Sequence, residues 1–170
     1  MKFLQKRKQE KKDNIVDISA AAYYIVTQNH DEFGIGLLKL QLLTFLSEAY
    51  LLNCCSNFNG YDDDFIRPEG CFLHSEKLRK EIDPYLSCCH YIIKDKVIKE
   101  NKHCYLDNNI KEKLIEFLDI FEKFSTFELH CLTVTYPAKE LTKQEVKEWF
   151  KSTFDFIIEN NEEEDKNERL

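Results

Sequence analysis

Residues 35–52 read IGLLKLQLLTFLSEAYLL, and this stretch decides the fold. It contains no proline, and its charged residues are Lys39 and Glu48. Apolar side chains occupy nearly the whole circumference of the helix that this stretch would form, whereas an amphipathic surface helix would show a single apolar stripe. A helix that is apolar all round must be enclosed by other protein or by lipid. We therefore predict a buried central helix over residues 35–52.

The composition favours a helical protein. Among its 170 residues the chain has 4 glycines and 3 prolines, and so few turn-forming residues disfavour a sandwich or barrel of many short strands. A chain of this length can bury a sizeable core without disulfides or metals. We predict a mainly α fold, in which a compact multi-helix domain surrounds the central helix and carries a small β-hairpin over about residues 91–106.

The two ends of the chain are strongly charged. Residues 1–13 are rich in lysine and arginine, and we expect them to form a flexible basic arm. Residues 14–158 are predicted to be a single helical domain, whose last helix covers residues 142–158. Residues 159–170, ENNEEEDKNERL, lack apolar periodicity and are predicted to be a disordered acidic tail.

Residues that can cap helices mark where the other helices begin. A side-chain oxygen at such a position accepts a hydrogen bond from a free backbone amide of the first turn. The predicted single caps are Asp17 or Asn14, Ser75 and Asp107. Ser125 with Glu128, and Thr142 with Glu145, have the spacing of a capping box. The hairpin is predicted from two short strands, near 91–97 and 102–106, that flank a turn at Glu100 and Asn101.

The charge and the cysteines limit the class of protein. A net charge of −7 argues against a chain that mainly binds nucleic acid, because such binding needs a dominant basic face. The apolar run over 35–52 is not predicted to span a membrane, because charged residues within a span are costly. An odd number of cysteines, 7, and a polar N-terminal stretch predict reduced thiols and a cytoplasmic location.

One cluster of cysteines and histidines is a candidate metal site. Cys88, Cys89 and His90 precede His103 and Cys104 by the length of the predicted hairpin, and thiols with imidazoles are ligands that zinc accepts. However, neighbouring residues on a strand point to opposite faces, and structural zinc sites usually space paired ligands by two or more residues. We therefore expect no bound metal or other cofactor. The alternative is a metal site formed by this cluster.

No catalytic residue is predicted. His130 and Cys131 are adjacent, but adjacent side chains on a helix diverge by about 100° and cannot pair as base and nucleophile. The four glycines, at positions 34, 36, 60 and 70, do not have the spacing of a phosphate-binding or dinucleotide-binding loop. These observations favour a protein that is not an enzyme.

Two stretches of the sequence, in this order, are similar to a known family. In the first, the apolar helix DISAAAYYIV (17–26) leads into I-x-x-L-K-L-Q at 35–41, followed by an aromatic-rich helix with Phe45 and Tyr50. In the second, Ser125, Leu129, Leu132 and Thr133 precede Pro137. This pattern resembles the Panacea domain, also called the SocA-like family, over roughly residues 17–138. The C-terminal helix at 142–158 lies beyond the resemblance.

The resemblance implies a bacterial or phage protein that binds another protein, as an antitoxin or as an adaptor that delivers a partner to a protease. The partner-binding or signature residues that it implies are Lys39, Gln41, Phe45, Tyr50, Thr133 and Pro137. Because buried polar groups need hydrogen-bond partners, we expect Lys39 and Gln41 either to bond to the turn at 132–137 or to line a groove for the partner. The alternatives are a metal- or thiol-dependent enzyme that uses residues 88–104, and a nucleic-acid-associated regulator that uses the basic arm.

Overall fold

The computed structural model describes residues 15–31, 34–67, 72–100, 105–137 and 141–168. In these ranges it contains α-helices, one short 3-10 helix at Asp83–Tyr85 and one two-stranded antiparallel sheet. The helices are α1 (Ile18–Gln28), α2 (Leu37–Cys54), α3 (Glu76–Ile82), α4 (Lys94–Glu100), α5 (Asn108–Phe121), α6 (Thr126–Thr133) and α7 (Lys143–Glu168). The strands are β1 (Ile35–Gly36) and β2 (Tyr91–Ile92). The predicted mainly α fold is confirmed.

Helix α2 is the predicted central helix. It packs against α1, α5, α6 and α7, and its residues from Leu40 to Ala49 are all buried. The helix begins two residues later than predicted, because Gly36 has an extended backbone with φ −67° and ψ 145° and pairs in the sheet. The prediction of a buried central helix is confirmed.

Aromatic rings fill the space between α2, α5 and α7. Phe117 and Phe121 stack at a centroid distance of 4.8 Å, and Phe150 and Phe154 stack at 4.6 Å. Phe121 also meets Phe154 edge to face at 5.6 Å. Each such pair contributes about 0.5–1.5 kcal/mol beyond the area it buries. These contacts attach the last helix to the rest of the core.

The predicted helix caps are present. The side chains of Asp17, Ser75 and Asp107 accept hydrogen bonds from backbone amides of the first turns of α1, α3 and α5. Ser125 and Glu128 form a complete capping box at the start of α6. At the start of α7, the Thr142 amide donates to Glu145 Oε2 at 2.8 Å, and the Glu145 amide donates to Thr142 Oγ1 at 3.2 Å. Local chemistry therefore sets where these helices begin.

The predicted hairpin at 91–106 is wrong, although a small antiparallel sheet exists. Tyr91 and Ile92 pair with Gly36 and Ile35 of β1, not with residues further along the chain. Residues 94–100 form α4, in which Val97 is fully buried and its neighbour Ile98 is 48% exposed. Two adjacent apolar residues break the alternation that a strand needs, and the lysines and glutamate around them favour a helix. Of the predicted second strand, residues 102–104 lie outside the described residues, and Tyr105 and Leu106 are not in a strand.

The last helix is longer than predicted. Helix α7 continues to Glu168, whereas the sequence predicted its end at residue 158 and a disordered tail over 159–170. Once a helix has started, each added residue gains a backbone hydrogen bond, and glutamate and lysine have good helix propensity. The lack of apolar residues in this segment therefore does not end the helix. The predicted basic arm at 1–13 lies outside the described residues.

None of the helices in the described ranges combines the length and the apolar content that crossing a bilayer requires.

Candidate functional site

A surface cleft of about 580 Å³ lies beside the N-terminus of the central helix. Its apolar lining comes from three segments of the chain: Leu37 and Leu38 of α2, Phe72 and Leu73 before α3, and Tyr91 of β2. Phe72 and Tyr91 are 46% and 44% exposed, so large aromatic surfaces face solvent at its mouth. We call this site the apolar cleft.

The turn at residues 87–90 forms one wall of the apolar cleft and is tied to the central helix. The His90 amide donates to the Ser87 carbonyl at 3.0 Å, which closes the turn. The Leu37 amide, at the start of α2, then donates to the His90 carbonyl at 3.1 Å. His90 has a φ of 61°, a conformation that few residues other than glycine adopt. The wall therefore depends on an uncommon backbone conformation at one residue.

Gln41 positions the opposite wall. Its side chain is almost fully buried, and its Oε1 accepts a hydrogen bond from the Ser75 amide at 3.0 Å, while its Nε2 donates to the Ser75 carbonyl at 3.4 Å. Ser75 also caps α3 by accepting from the Leu78 amide. This two-point bond fixes the backbone next to Phe72 and Leu73. Gln41 therefore has a structural role and also lines the cleft.

Three basic side chains line the cleft together with the neutral side chains of Gln41 and Cys89. Arg79, His74 and His90 line the apolar cleft, and none of the described residues that line it is acidic. Close to it, Glu76 Oε1 lies 3.2 Å from His74 Nε2. The rim is basic although the net charge of the chain is −7. The cleft is therefore suited to an apolar group that carries a negative charge.

The apolar surface continues from the cleft onto α6. The ring of Phe72 meets the ring of His130 edge to face at a centroid distance of 4.5 Å. Three and four residues from His130 along the chain, Phe127 is 74% exposed and Val134 is 60% exposed. Residues with this spacing share one face of a helix. Exposed apolar side chains on one helix face beside a cleft are typical of interaction sites on proteins.

Lys39 and Phe45 have structural contacts in this fold. Lys39 Nζ donates to the Glu122 carbonyl at 2.8 Å, at the C-terminus of α5. A cation at this end stabilises a helix, because it bonds to the last carbonyls and opposes the helix dipole. Phe45 is 1% exposed, and its ring packs against Phe65 at 5.3 Å and Tyr136 at 4.7 Å. Its side chain cannot reach a partner while the core is intact.

Tyr50, Thr133 and Pro137 are not brought together with the cleft. The Tyr50 ring packs 5.7 Å from the Phe117 ring, and burial raises the pKa of its hydroxyl. Thr133 is fully buried, and its Oγ1 donates to the His130 carbonyl at 2.9 Å. Pro137 is half-buried and follows the turn after α6. Of the six residues predicted for partner binding, only Gln41 lines the apolar cleft.

Arg67 makes the contact that the sequence assigned to Lys39 and Gln41. Its Nη2 donates to the Thr133 carbonyl at 2.6 Å, and its Nη1 donates to the carbonyls of Val134 at 3.0 Å and Tyr136 at 3.2 Å. Burial lowers the pKa of this guanidinium. The expected bond from Lys39 or Gln41 to the turn at 132–137 is therefore wrong. The last carbonyls of any helix need a hydrogen-bond donor from outside the helix. Nothing in the sequence indicated that a distant arginine would be the donor for α6.

A buried ion pair, which sequence reasoning also missed, joins α2 to α7. Glu48 is 3% exposed, and its Oε1 accepts from the Tyr61 amide at 2.8 Å and from Lys143 Nζ at 2.5 Å. Burial raises the pKa of the Glu48 carboxyl, and the nearby Lys143 opposes this shift. Gly60, with a φ of 100°, leaves room for the pair, because a Cβ there would lie 2.6 Å from Lys143 Cε.

The structure places part of the candidate metal cluster. Cys88 and Cys89 are exposed, with their Sγ atoms 3.8 Å apart, and Cys89 and His90 line the apolar cleft. His103 and Cys104 lie outside the described residues. Within the described ranges, no group of three or more potential metal ligands occurs. No hydrogen bond found in these ranges joins the Cys89 thiol to an imidazole.

Comparisons with protein-family models, with curated proteins and with solved structures find no match to this chain.

Proposed function

We propose that this chain is a non-enzymatic protein-binding domain, and that the apolar cleft takes an apolar segment of a partner protein that carries an acidic residue. One observation carries this proposal: the cleft combines an apolar floor with a rim of Arg79, His74 and His90 on a chain that is acidic overall. Apolar burial supplies affinity, and complementary charge supplies selectivity and a faster association rate.

The dimensions of the surface support a peptide segment as the occupant. A cleft of about 580 Å³ lies within the range of sites that enclose one small ligand or a few side chains. The exposed rings of Phe72 and Phe127 extend the apolar surface beyond the cleft, and aromatic residues are frequent at the energetic centres of interfaces. A small metabolite would leave this additional surface in water, whereas a protein segment would cover it.

The resemblance to the Panacea domain supports a particular class of partner. In that family the chain would neutralise a toxin or deliver a partner protein to a protease. On this proposal, the toxin contributes the acidic and apolar segment that enters the cleft. Phe45 and Thr133 are fully buried, so the surface that we propose for binding is the cleft and the outer face of α6 rather than these two signature positions.

A photocrosslinking experiment tests the proposed surface. The photoreactive amino acid p-benzoylphenylalanine replaces Phe72 at the mouth of the cleft in one version of the chain, and replaces Tyr105 in the other. Tyr105 is 84% exposed and does not line the cleft, so it serves as the matched control. After irradiation in the native host, mass spectrometry identifies the crosslinked partner peptide. We expect a crosslink only from position 72, to a segment that contains apolar and acidic residues.

Charge reversal on one helix then tests the role of the rim. Arg79→Glu removes the rim charge, and Lys80→Glu makes the same change at the next residue of α3, which does not line the cleft. We expect Arg79→Glu to weaken binding of the identified partner by at least about tenfold, or 1.4 kcal/mol, and Lys80→Glu to leave binding within about twofold. Equal effects of the two variants, or equal crosslinking from positions 72 and 105, contradict the proposed surface.

The antitoxin proposal has a separate test. Expression of the identified partner alone should arrest growth of the host, and co-expression of this chain should restore growth. Arg79→Glu should fail to restore growth, while Lys80→Glu should restore it. A partner that is harmless on its own, but whose level falls in a protease-dependent way when this chain is present, indicates the adaptor form of the function. A harmless partner whose level does not change excludes both forms.

A further inference from the structure

The chain contains two pairs of adjacent cysteines that differ in their surroundings. In both pairs the Sγ atoms are 3.8 Å apart. Cys88 and Cys89 are both exposed and occupy the two central positions of the turn at 87–90. Cys54, the last residue of α2, is exposed, whereas its neighbour Cys55 is buried. Only the fold shows that the two pairs differ in exposure.

We propose that Cys88 and Cys89 are a redox modification site, at which a low-molecular-weight disulfide oxidises the two thiols to a reversible disulfide between adjacent residues. The thiolate of one cysteine attacks a sulfur of the small disulfide, R–S–S–R, and expels one R–S⁻. The thiolate of the neighbouring cysteine then attacks the mixed disulfide and expels the second R–S⁻. The two cysteines lose two protons and two electrons, and one R–S–S–R becomes two R–SH.

Exposure makes this pair the accessible one. Thiolates, not thiols, attack disulfides, and both thiols of this pair are exposed to an oxidant in solution. In the other pair, burial raises the pKa of Cys54 to about 12, which keeps that thiol protonated at neutral pH. An oxidant in solution therefore reaches both thiols of the pair at the turn, whereas at the end of α2 it reaches only Cys54, whose thiol is protonated.

The geometry makes the resulting disulfide easy to reduce. Adjacent Cα atoms lie about 3.8 Å apart across a trans peptide, whereas disulfides usually join Cα atoms about 4.4–6.8 Å apart. Bringing the two Sγ atoms from 3.8 Å to a bond of about 2.0 Å therefore distorts the turn. Strained and exposed disulfides have higher reduction potentials and are the labile, regulatory ones. This disulfide belongs to that class.

Oxidation acts on the apolar cleft through the turn. The peptide bond that the disulfide distorts joins Cys88 to Cys89, inside the turn at 87–90. The hydrogen bond from the His90 amide to the Ser87 carbonyl closes this turn. The His90 carbonyl accepts the Leu37 amide at 3.1 Å, so movement of His90 loosens the wall of the cleft at the start of the central helix. That the modification regulates partner binding rests on the proposed function, but the modification and the loosening of the turn do not.

Peptide mapping of the full chain tests the modification. The protein is incubated with glutathione disulfide, treated with N-ethylmaleimide and digested with trypsin. Residues 81–94, EIDPYLSCCHYIIK, follow Lys80 and end at Lys94, so one tryptic peptide contains both thiols and no other cysteine. We expect this peptide to lack two hydrogens, to carry no maleimide, and to recover both thiols after dithiothreitol. A peptide that carries two maleimides, retains glutathione or is linked to another peptide overturns the proposal.

Hydrogen exchange tests the effect on the cleft without any partner. In the oxidised chain we expect the Leu37 amide to exchange roughly tenfold faster, because its hydrogen bond to the turn is weakened. Cys88→Ser/Cys89→Ser should show no response to glutathione disulfide, and Cys54→Ser should respond as the unmodified chain does. Unchanged exchange at Leu37 in a chain whose disulfide has formed overturns the coupling to the cleft. Because neither measurement uses a partner, failure here is distinct from failure of the proposed docking surface.

Discussion

Removing Lys143 tests whether the buried ion pair attaches α7 to the core. In the folded chain, Lys143 Nζ lies 2.5 Å from Glu48 Oε1, and the Glu48 side chain is 4% exposed while that of Lys143 is 36% exposed. Lys143→Met keeps a chain of similar length that can cover the same apolar surface but removes the charge. Glu48 then remains buried, and the Tyr61 amide is its closest remaining donor.

The expected loss follows from the burial of the two partners. Breaking a fully buried ion pair costs about 3–5 kcal/mol, because an uncompensated charge is left inside the protein. Water reaches about a third of the Lys143 side chain and screens the attraction, so the cost is smaller than for a fully enclosed pair. We expect Lys143→Met to lower the free energy of unfolding by about 2 kcal/mol at neutral pH.

The loss should depend on pH. Burial raises the pKa of Glu48 above its ordinary value of 4.5, and Lys143 lowers it, so the variant has a Glu48 pKa that is higher still. Above pH 4.5 the folded state of the variant therefore binds more protons than its unfolded state, and its stability falls as pH rises towards the folded-state pKa. As the pH falls below 4.5, the Glu48 carboxyl becomes increasingly protonated in the unfolded state as well as in the folded state. The difference between the variant and the original chain should therefore be smallest in acid and largest at neutral pH.

Equilibrium urea denaturation at several pH values between 4 and 7.5 measures this difference, because urea leaves the ionic strength unchanged. Lys151→Met, at an exposed position of α7, is the matched control and should not change stability by more than about 0.5 kcal/mol. Glu48→Gln/Lys143→Met should recover most of the loss, because no charge is then left unpaired. A Lys143→Met variant as stable as the original chain at neutral pH, or a loss independent of pH, would refute the reasoning.

Three further changes have expected outcomes. Gly60→Ala should lower the free energy of unfolding by about 1–3 kcal/mol, because φ is 100° and the new Cβ would lie 3.0 Å from Glu48 Oε1. Gly36→Ala is the control, because a Cβ there meets no atom within 4 Å. In urea denaturation it should change the free energy of unfolding by less than about 1 kcal/mol. Arg67→Met should lower the free energy of unfolding by about 2 kcal/mol, because three backbone carbonyls lose their hydrogen-bond donor. The melting temperature should fall by about 4–8 °C. Ser125→Ala should lower the free energy of unfolding by about 1 kcal/mol, because it removes the side-chain acceptor of a capping box. Thermal unfolding followed by circular dichroism measures this loss. An unchanged stability would show that α6 is held by packing alone.

The helix starts and the central helix were predictable because their causes lie close together in sequence. Ser125 and Glu128 are three residues apart and satisfy each other's backbone amides within one turn. The apolar circumference of α2 likewise follows from eighteen consecutive residues. Short-range patterns of this kind act in almost any surroundings, and the structure retains them.

The strand pairing was not predictable because strands do not choose their partner locally. Tyr91 and Ile92 pair with Gly36 and Ile35, residues that the sequence placed inside the central helix. Residues 94–100 could be interpreted as either a strand or a helix, and the burial of Val97 together with the exposure of Ile98 decided in favour of the helix. Tertiary packing commonly overrides weak local preference in such short segments.

In the candidate site, too, the sequence predicted local features but not which distant residues meet. The sequence indicated Gln41 as a polar group that needed a partner in an apolar helix, but not that the partner was Ser75, 34 residues away. It did not indicate that Phe72, Arg79 and His90 share a cleft, because they come from three segments brought together only by folding. It grouped Cys88 and Cys89 with nearby histidines as a candidate metal cluster, but it did not indicate that both of these thiols are exposed while Cys55 is buried.

By itself, the sequence determined that this chain folds around a buried helix and where its capped helices begin, since periodicity and capping act over one to five turns. Only the tertiary structure decided which polar groups meet. Glu48 is balanced by Lys143, 95 residues further along the chain, and Arg67 reaches the end of α6, 66 residues away. Contacts across such separations depend on how the helices pack as a set, and packing is settled by the shape of the whole core rather than by any single stretch.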